Sequence, residues 1–347
     1  MMSGATLALV SAALFGASTP FAKLLLGAVD PWVLAGLLYL GSGLGLVAAL
    51  AGRAALGLPK TEAPLRKTDL AWLGLIILFG GILGPVLLML GLRSTPASSA
   101  SLLLNLEGLA TMAIAWIAFR ENVDRRILFG AFAILAGAAS LSWQQTTIEI
   151  GWGSLAIAGA CLCWGIDNNL TRKLSAADPV QIAATKGVVA GAVNLSLGLL
   201  QGALLPPAGA VAGAAIVGFL GYGVSLVLFV LALRQLGTAR TGAYFSTSPF
   251  IGAVLSIALL GDPVTPQLML AAVLMGLGTW LHLTENHAHD HVHDAMSHDH
   301  RHVHDEHHRH DHSHGEAQGG PHAHAHRHDR LVHRHAHYPD LHHRHEH

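Results

Sequence analysis

The sequence predicts an all-α polytopic membrane protein: ten transmembrane helices arranged as two inverted five-helix repeats, followed by a disordered tail. Three observations carry this. Charge is scarce over most of the chain, at 14 Lys+Arg and 10 Asp+Glu in residues 1–283. That stretch falls into ten apolar segments, each near the roughly 20 residues a spanning helix needs. All 25 His lie at or beyond His282, so the last 64 residues are a different physical object.

Twenty-four charges in 283 residues cannot cover a soluble surface, and a bilayer is the solvent that accepts such a composition. The tail holds 6 Arg, 11 Asp+Glu and almost nothing apolar to bury, so it is expected to be disordered on its own. A formal net charge of −1 excludes a strongly basic nucleic-acid binder. The N-terminus lacks a basic segment ahead of its apolar run, so no secretory leader is expected. No catalytic triad, phosphate loop or cofactor motif appears, and an enzyme is not expected; no cofactor is required.

In chain order, the segments run over about 4–26, 31–52, 70–92, 97–119, 127–143, 151–173, 180–200, 210–234, 240–260 and 265–283. The first and third contain Pro20 and Pro85, and the ninth contains Pro249. Each proline removes an internal hydrogen bond, which a membrane tolerates where protein or a wet cavity meets the freed carbonyl. Gly41/Gly45 in the second, Gly80/Gly84 in the third and Gly187/Gly191 in the seventh are spaced by four. Each pair therefore marks a face that lets backbones approach. Cys161 and Cys163 in the sixth point about 200° apart around a helix and read as packing residues. Trp32, Trp72, Trp152 and Trp280 lie near segment ends, as an aromatic belt would.

The basic residues orient the spans. With the N-terminus inside, inner loops and helix ends hold Arg53, Lys60, Arg66, Lys67, Arg120, Arg125, Arg126, Arg172, Lys173, Arg234 and Arg240. The outer side holds only Lys23 and Arg93. An even number of spans puts the tail inside as well. The expected setting is a multi-pass protein of a bacterial inner membrane with both termini cytoplasmic.

The segments repeat. At an offset of 141, Leu92-Arg93 falls on Leu233-Arg234, Glu121 on Asp262, Val123 on Val264 and Gly137 on Gly278. Earlier, offsets of 149 and 148 put Gly16 on Gly165 and Asp30-Pro31 on Asp178-Pro179. The units are 3–143 and 151–283, with 284–347 as tail. Five is odd, so the second unit enters the membrane upside down. Inverted repeats of this kind place a substrate site near midplane where the halves meet.

With these landmarks, the sequence resembles the drug/metabolite transporter superfamily, in its EamA-like branch. The resemblance covers about residues 3–283. It rests on the five-plus-five spans and on the openings Leu14-Phe15-Gly16 and Cys163-Trp164-Gly165. The fourth-span ends Phe119-Arg120-Glu121 and Leu260-Gly261-Asp262 carry it too, with the Leu106-Glu107-Gly108 and Ser248-Pro249-Phe250 stretches. The resemblance implies a secondary transporter or exporter of small organic molecules and names no substrate. Many relatives carry Arg seven residues after the Pro that opens the second span. Here that position is Leu38, and its repeat position is Lys186.

Charges within spans cost roughly 2.5–3.5 kcal/mol each on insertion scales and are functional candidates by default. Glu107 falls near the middle of the fourth span. Asp167 lies near the inner end of the sixth and Lys186 near the inner start of the seventh, so two antiparallel helices carry them at similar depth. Asn105, Asn168, Asn169 and Asn194 add donors and acceptors, and Trp164 is placed beside them. One expectation is a polar central cavity, with Glu107 or Asp167 titrating and Lys186 holding an anionic or zwitterionic group. The other is a purely structural Asp167–Lys186 pair. Lys23 and Arg172 read as interfacial anchors, Glu121 and Asp262 as helix-terminal residues.

The tail holds 24 His in residues 287–347, many as His-x-His. His287, His289, His291 and His293, then His298, His300, His302 and His304, then His322, His324, His326 and His328 form the clearest runs. In an extended chain, alternate side chains point the same way and neighbouring imidazoles can share an ion. Without Cys, the set suits Zn²⁺, Ni²⁺, Co²⁺ or Cu²⁺ rather than Cu(I). Expected partners are thus the lipid bilayer, a small-molecule substrate and divalent metal ions; a homo-oligomer is compatible with the sequence. The leading function is transport of a small polar metabolite. The alternatives are divalent-metal efflux and a membrane-anchored metal buffer or sensor.

Overall fold

A computed structural model describes residues 3–57, 65–119, 125–142, 151–171, 174 and 177–283, and the backbone of four tail segments. The described residues before the tail form thirteen α-helices. α1 (Gly4–Leu25) starts on Ser3, whose hydroxyl accepts from Thr6 N at 3.3 Å. α2 (Pro31–Ala55) and α9 (Pro179–Leu200) open alike: Asp30 accepts from Trp32 N and Asp178 from Val180 N, each with Pro at the first helical position.

The third segment is a composite. α3 (Leu70–Ile76) passes into a π-helical turn over Ile77–Leu83 and then into α4 (Gly84–Ser94). The eighth repeats the pattern: α10 (Ala208–Gly218), a π-helical turn over Phe219–Val224, then α11 (Ser225–Phe245). α5 (Ala97–Leu103) and α6 (Asn105–Phe119) form the fourth segment, kinked at Leu104. α7 (Arg125–Ser142), α8 (Trp152–Thr171), α12 (Ser248–Leu260) and α13 (Pro266–Leu283) complete the set.

Among the described residues six helical stretches are long and apolar enough to cross a membrane: Gly4–Leu25, Pro31–Ala55, Leu70–Ser94, Ala97–Ala118, Pro179–Leu200 and Ala208–Ala232. Leu128–Ser142 and Ser248–Leu260 are apolar but shorter. One expected boundary is corrected. The connection placed between 234 and 240 is helical, because α11 runs unbroken to Phe245 and the turn falls at Ser246–Thr247. The corresponding point of the first half breaks at Ser94-Thr95-Pro96, where proline cannot continue a helix. Residues 235–240 contain no proline.

α2 packs along α9 and α7 along α13; α1 lies against α11 and α12, and α8 against α4 and α6. The α2–α9 contact is backbone on backbone: a Cβ on Gly187 would lie 2.6 Å from Gly43. The face marked by Gly187 and Gly191 is thus an interface. Leu34, Leu38, Leu88, Met89, Leu92, Leu103 and Ile157 are buried at the centre. Leu9, Ile117, Phe129, Phe132, Val254 and Val273 are exposed, the apolar exterior a bilayer would cover. Trp72, Trp152 and Trp280 are exposed near helix starts or ends. Trp32 instead packs partly into the core.

Four short strands are described in the tail. β1 (His287–His293) pairs antiparallel with β4 (Leu331–His337), and β2 (Met296–His302) with β3 (His322–His328). The register sets His289 opposite His335 and His300 opposite His324. The alternating sequence is the period-two pattern a strand uses. His304 lies outside the described residues.

Candidate functional site

The polar residues gather where α2, α8 and α9 meet the first π-helical turn. Asp167 on α8 is buried, and its Oδ2 forms an ion pair with Nζ of Lys186 on α9. The Thr171 hydroxyl, one helical turn on, donates to Asp167 Oδ1 at 3.2 Å. The side chains are only 8% and 17% exposed, so the pair is largely desolvated. Breaking it from one side would strand a charge.

Gly80 makes room for that pair. A Cβ there would press on the Asp167 carboxylate and lie 2.6 Å from Lys186 Nζ. The π turn also offers carbonyls to side chains. Gly80 O accepts from Tyr39 Oη at 2.7 Å and from Trp164 Nε1 at 3.1 Å, and Gly81 O accepts from Asn194 Nδ2 at 2.9 Å. π turns frequently mark functional sites, since the widened ladder frees backbone groups. Trp164 therefore belongs to the site through the turn. Tyr39 extends it: its ring lies 5.6 Å from that of Tyr222, in the second π turn, and Tyr222 meets Phe15 at 5.9 Å. One tyrosine of α2 thus touches both π turns.

Glu107, on α6, is half-buried and within electrostatic reach of Asp167 and Lys186. Its Oε1 accepts from Asn168 Nδ2 at 3.0 Å, and Asn168 also donates to Thr111 Oγ1 at 3.2 Å. Asn169 donates to Thr111 O at 2.9 Å and to Gly165 O at 2.8 Å. The bonds to Glu107 and Thr111 join α6 to α8, and the bond to Gly165 stays within α8. Asn169 Oδ1 and Asn194 Oδ1 are buried and meet no protein donor among the described residues.

Asn105 does not join this cluster. It donates to Leu102 O at 2.8 Å and accepts from Thr279 Oγ1 at 3.3 Å, so it braces the kink between α5 and α6 against α13. Two residues separate it from Glu107, which turns it about 200° around the helix. Cys161 and Cys163 are buried and free; Cys161 Sγ meets Leu103 O at 3.6 Å. Among the described residues no three His, Cys, Asp or Glu come together as a metal site. The tail side chains, with every histidine run named above, lie outside that description.

Sequence reasoning missed Tyr39, Tyr222 and the π turns. Their signal was the glycine-rich Phe79-Gly80-Gly81 and Leu220-Gly221-Tyr222-Gly223 at matching places in the two halves. Interrupted spans in matching places point to a binding site.

Known proteins share this architecture. The sequence model of the EamA-like transporter family matches residues 2–143 and again residues 151–284. An uncharacterized transporter of Methanothermobacter thermautotrophicus is 28% identical over 235 residues, 64% of this chain and 67% of that protein. The uncharacterized transporter YyaM of Bacillus subtilis is 26% identical over 234 residues, 64% of this chain and 75% of its own length. A solved crystal structure at 18% identity covers 81% of this chain and 96% of its own, with a TM-score of 0.61. At that identity the likeness shows the fold.

Proposed function

The chain belongs to the EamA-like transporter family, and from that premise we propose that it is a secondary transporter which exports or exchanges a small polar metabolite by alternating access. The observation that carries this is the Asp167–Lys186 pair, seated on Gly80 of a π turn beside Glu107. A desolvated acid and base can exchange their mutual contact for contacts with a substrate. A zwitterion or an anion with a donor group suits them best. Glu107, tied to Asn168, is the second carboxylate and would sense or relay a proton.

Ten spans in inverted halves are part of the reading. The family's sequence model matches the chain twice, and each half has a π turn in its third segment. Packing also interchanges between halves: α1 meets α11 and α12 as α8 meets α4 and α6. The offsets found in the sequence match Gly80, Asp167 and Lys186 with Gly221, Ser18 and Leu38. A Cβ on Gly221 would meet Ser18 Cβ at 2.7 Å, and Gly218 sits on the Leu38 backbone. Charge therefore occupies one of two matching niches, and a substrate held there has a defined orientation.

The protein sits in a bacterial inner membrane with both termini cytoplasmic, and the tail concentrates divalent metal at the inner mouth or senses it. Divalent-metal efflux is the second reading, favoured by the tail alone; an ammonium in the membrane site opposes a bare cation. A metal buffer without transport leaves the intramembrane charges without a use. The test is uptake and counterflow in proteoliposomes with a metabolite panel and with Zn²⁺ and Ni²⁺, using the full chain and a chain ending at His282. Saturable metabolite exchange that needs Asp167 and Lys186 supports the proposal. Flux of metal alone, insensitive to both residues, replaces it with the second reading.

A further inference from the structure

A second charged cluster lies away from the Asp167–Lys186 site, at the end of the bundle where α4 gives way to α5. The break at Ser94-Thr95-Pro96 leaves the last carbonyls of α4 without helical partners. Lys23, in the last turn of α1, supplies them: Nζ donates to Leu92 O, to Thr95 O at 2.9 Å and to Arg93 O at 3.4 Å. Across the break, Asp262 Oδ2 accepts from Ser98 N in the first turn of α5 at 2.7 Å. Each charge suits the helix end it meets, cation at the carbonyl end and anion at the amide end. Lys23 and Asp262 also attract one another.

The two grips come from one side of the bundle. α1 and α12 pack together; Lys23 belongs to the first, and Asp262 follows Gly261, which closes the second at φ 67. Lys23 holds the end of α4, whose long contact is with α8, whereas Asp262 holds the start of α5, which packs on α12 itself. Lys23 thus joins the end of α1 to the end of α4. It is a tie between two packing units at one end of the molecule. The opposite end differs, because α11 is continuous where the first half breaks, so its carbonyls there remain in the helical ladder. The offsets that align the halves put Arg172 at the place of Lys23 and Glu121 at the place of Asp262.

We propose that Lys23 and Asp262 form a latch that closes the outer mouth of the transport path by clasping the α4–α5 break, and that it must release in each cycle. This rests on the alternating-access reading above. The bonds to α4 are to main-chain carbonyls, so the latch opens when the end of α4 leaves Lys23 while α1, α5 and α12 stay together. Charge-assisted bonds of this kind are strong enough to bias an equilibrium yet few enough to break thermally.

The test measures distance directly. Spin labels go at Arg93→Cys and Val264→Cys, both exposed, with Cys161→Ala and Cys163→Ala, in full-length protein in lipid nanodiscs. Lys23→Met should raise the ratio of long to short distances by about tenfold, the cost of losing one strong charged hydrogen bond. Lys23→Arg should preserve the short distance. Asp262→Asn keeps an acceptor for Ser98 N and should give a smaller shift the same way. Distances unchanged by both Lys23→Met and Asp262→Asn, in protein that still unfolds cooperatively, overturn the latch. Equal lengthening by Lys23→Arg also overturns it, since the contact would then depend on shape and not on charge. Transport is read separately: a wild type that carries no substrate refutes the function while leaving the distance test intact.

Discussion

Replacing Asp167 by Ser and Lys186 by Leu together would give the charged niche the side chains that stand at its matching place, Ser18 and Leu38. Each single change is expected to destabilise. Asp167→Ser strands a desolvated ammonium, worth about 3 kcal/mol. Lys186→Leu costs less, about 1–2 kcal/mol, because Asp167 Oδ1 keeps its bond from Thr171. The double change should cost only about 1 kcal/mol, since no charge is left unpaired and the same types already pack against Gly221 and Gly218. The coupling energy is then about 3 kcal/mol, large for a pair in contact. Stability is read by equilibrium unfolding in mixed micelles, and function by counterflow in proteoliposomes. The double variant should fold and fail to transport. A double variant as unstable as the singles combined would refute the matching-niche argument. One that transports normally would reduce the pair to a helix brace.

Gly80→Ala should abolish most transport and destabilise by about 1–3 kcal/mol through overpacking on the ion pair, whereas Gly74→Ala, with open space around it, should change neither. Transport assays and thermal melts of the two variants decide this. Glu107→Gln should impair transport while preserving insertion and the bond from Asn168, and Glu121→Gln should have a smaller effect; rates across pH for the two check it. Deleting residues 284–347 should lower transport only at low free Ni²⁺ or Zn²⁺ if the tail concentrates metal, through local concentration and not through the path. A truncated protein that inserts normally but transports nothing would show the tail to be essential.

How far the sequence could be read depended on whether a feature follows from one helix or from the meeting of several. The Asp167–Lys186 pair was legible because α8 and α9 are antiparallel across a short connection, and equal distances from that connection mean equal depth. Glu107 beside Asn168 was half legible: both were flagged as polar groups in apolar helices, but their hydrogen bond needs α6 on α8. For Asn105, nearness to Glu107 in sequence is not nearness in space. The kink at Leu104 and the turn of the helix send it to Thr279 instead. The π turns were invisible to hydropathy, which measures how apolar a segment is and not how its ladder is wound. Gly80 was read as a packing residue, and it is one. What it packs against is the carboxylate of Asp167.

The same logic explains where chemistry can arise in a doubled scaffold. Close helix packing fixes the glycines, because any Cβ at Gly80 or Gly221 strikes the facing helix. The facing residue is less constrained, since Ser18 and Asp167 both fill the space. Charge can therefore be introduced on one side without rebuilding either backbone, provided an opposite charge arrives within reach. Lys186 meets that condition and Leu38, at the matching place, does not. Under the alternating-access reading proposed above, a single charged niche, tied through Tyr39 to both π turns, would hold a substrate in one orientation.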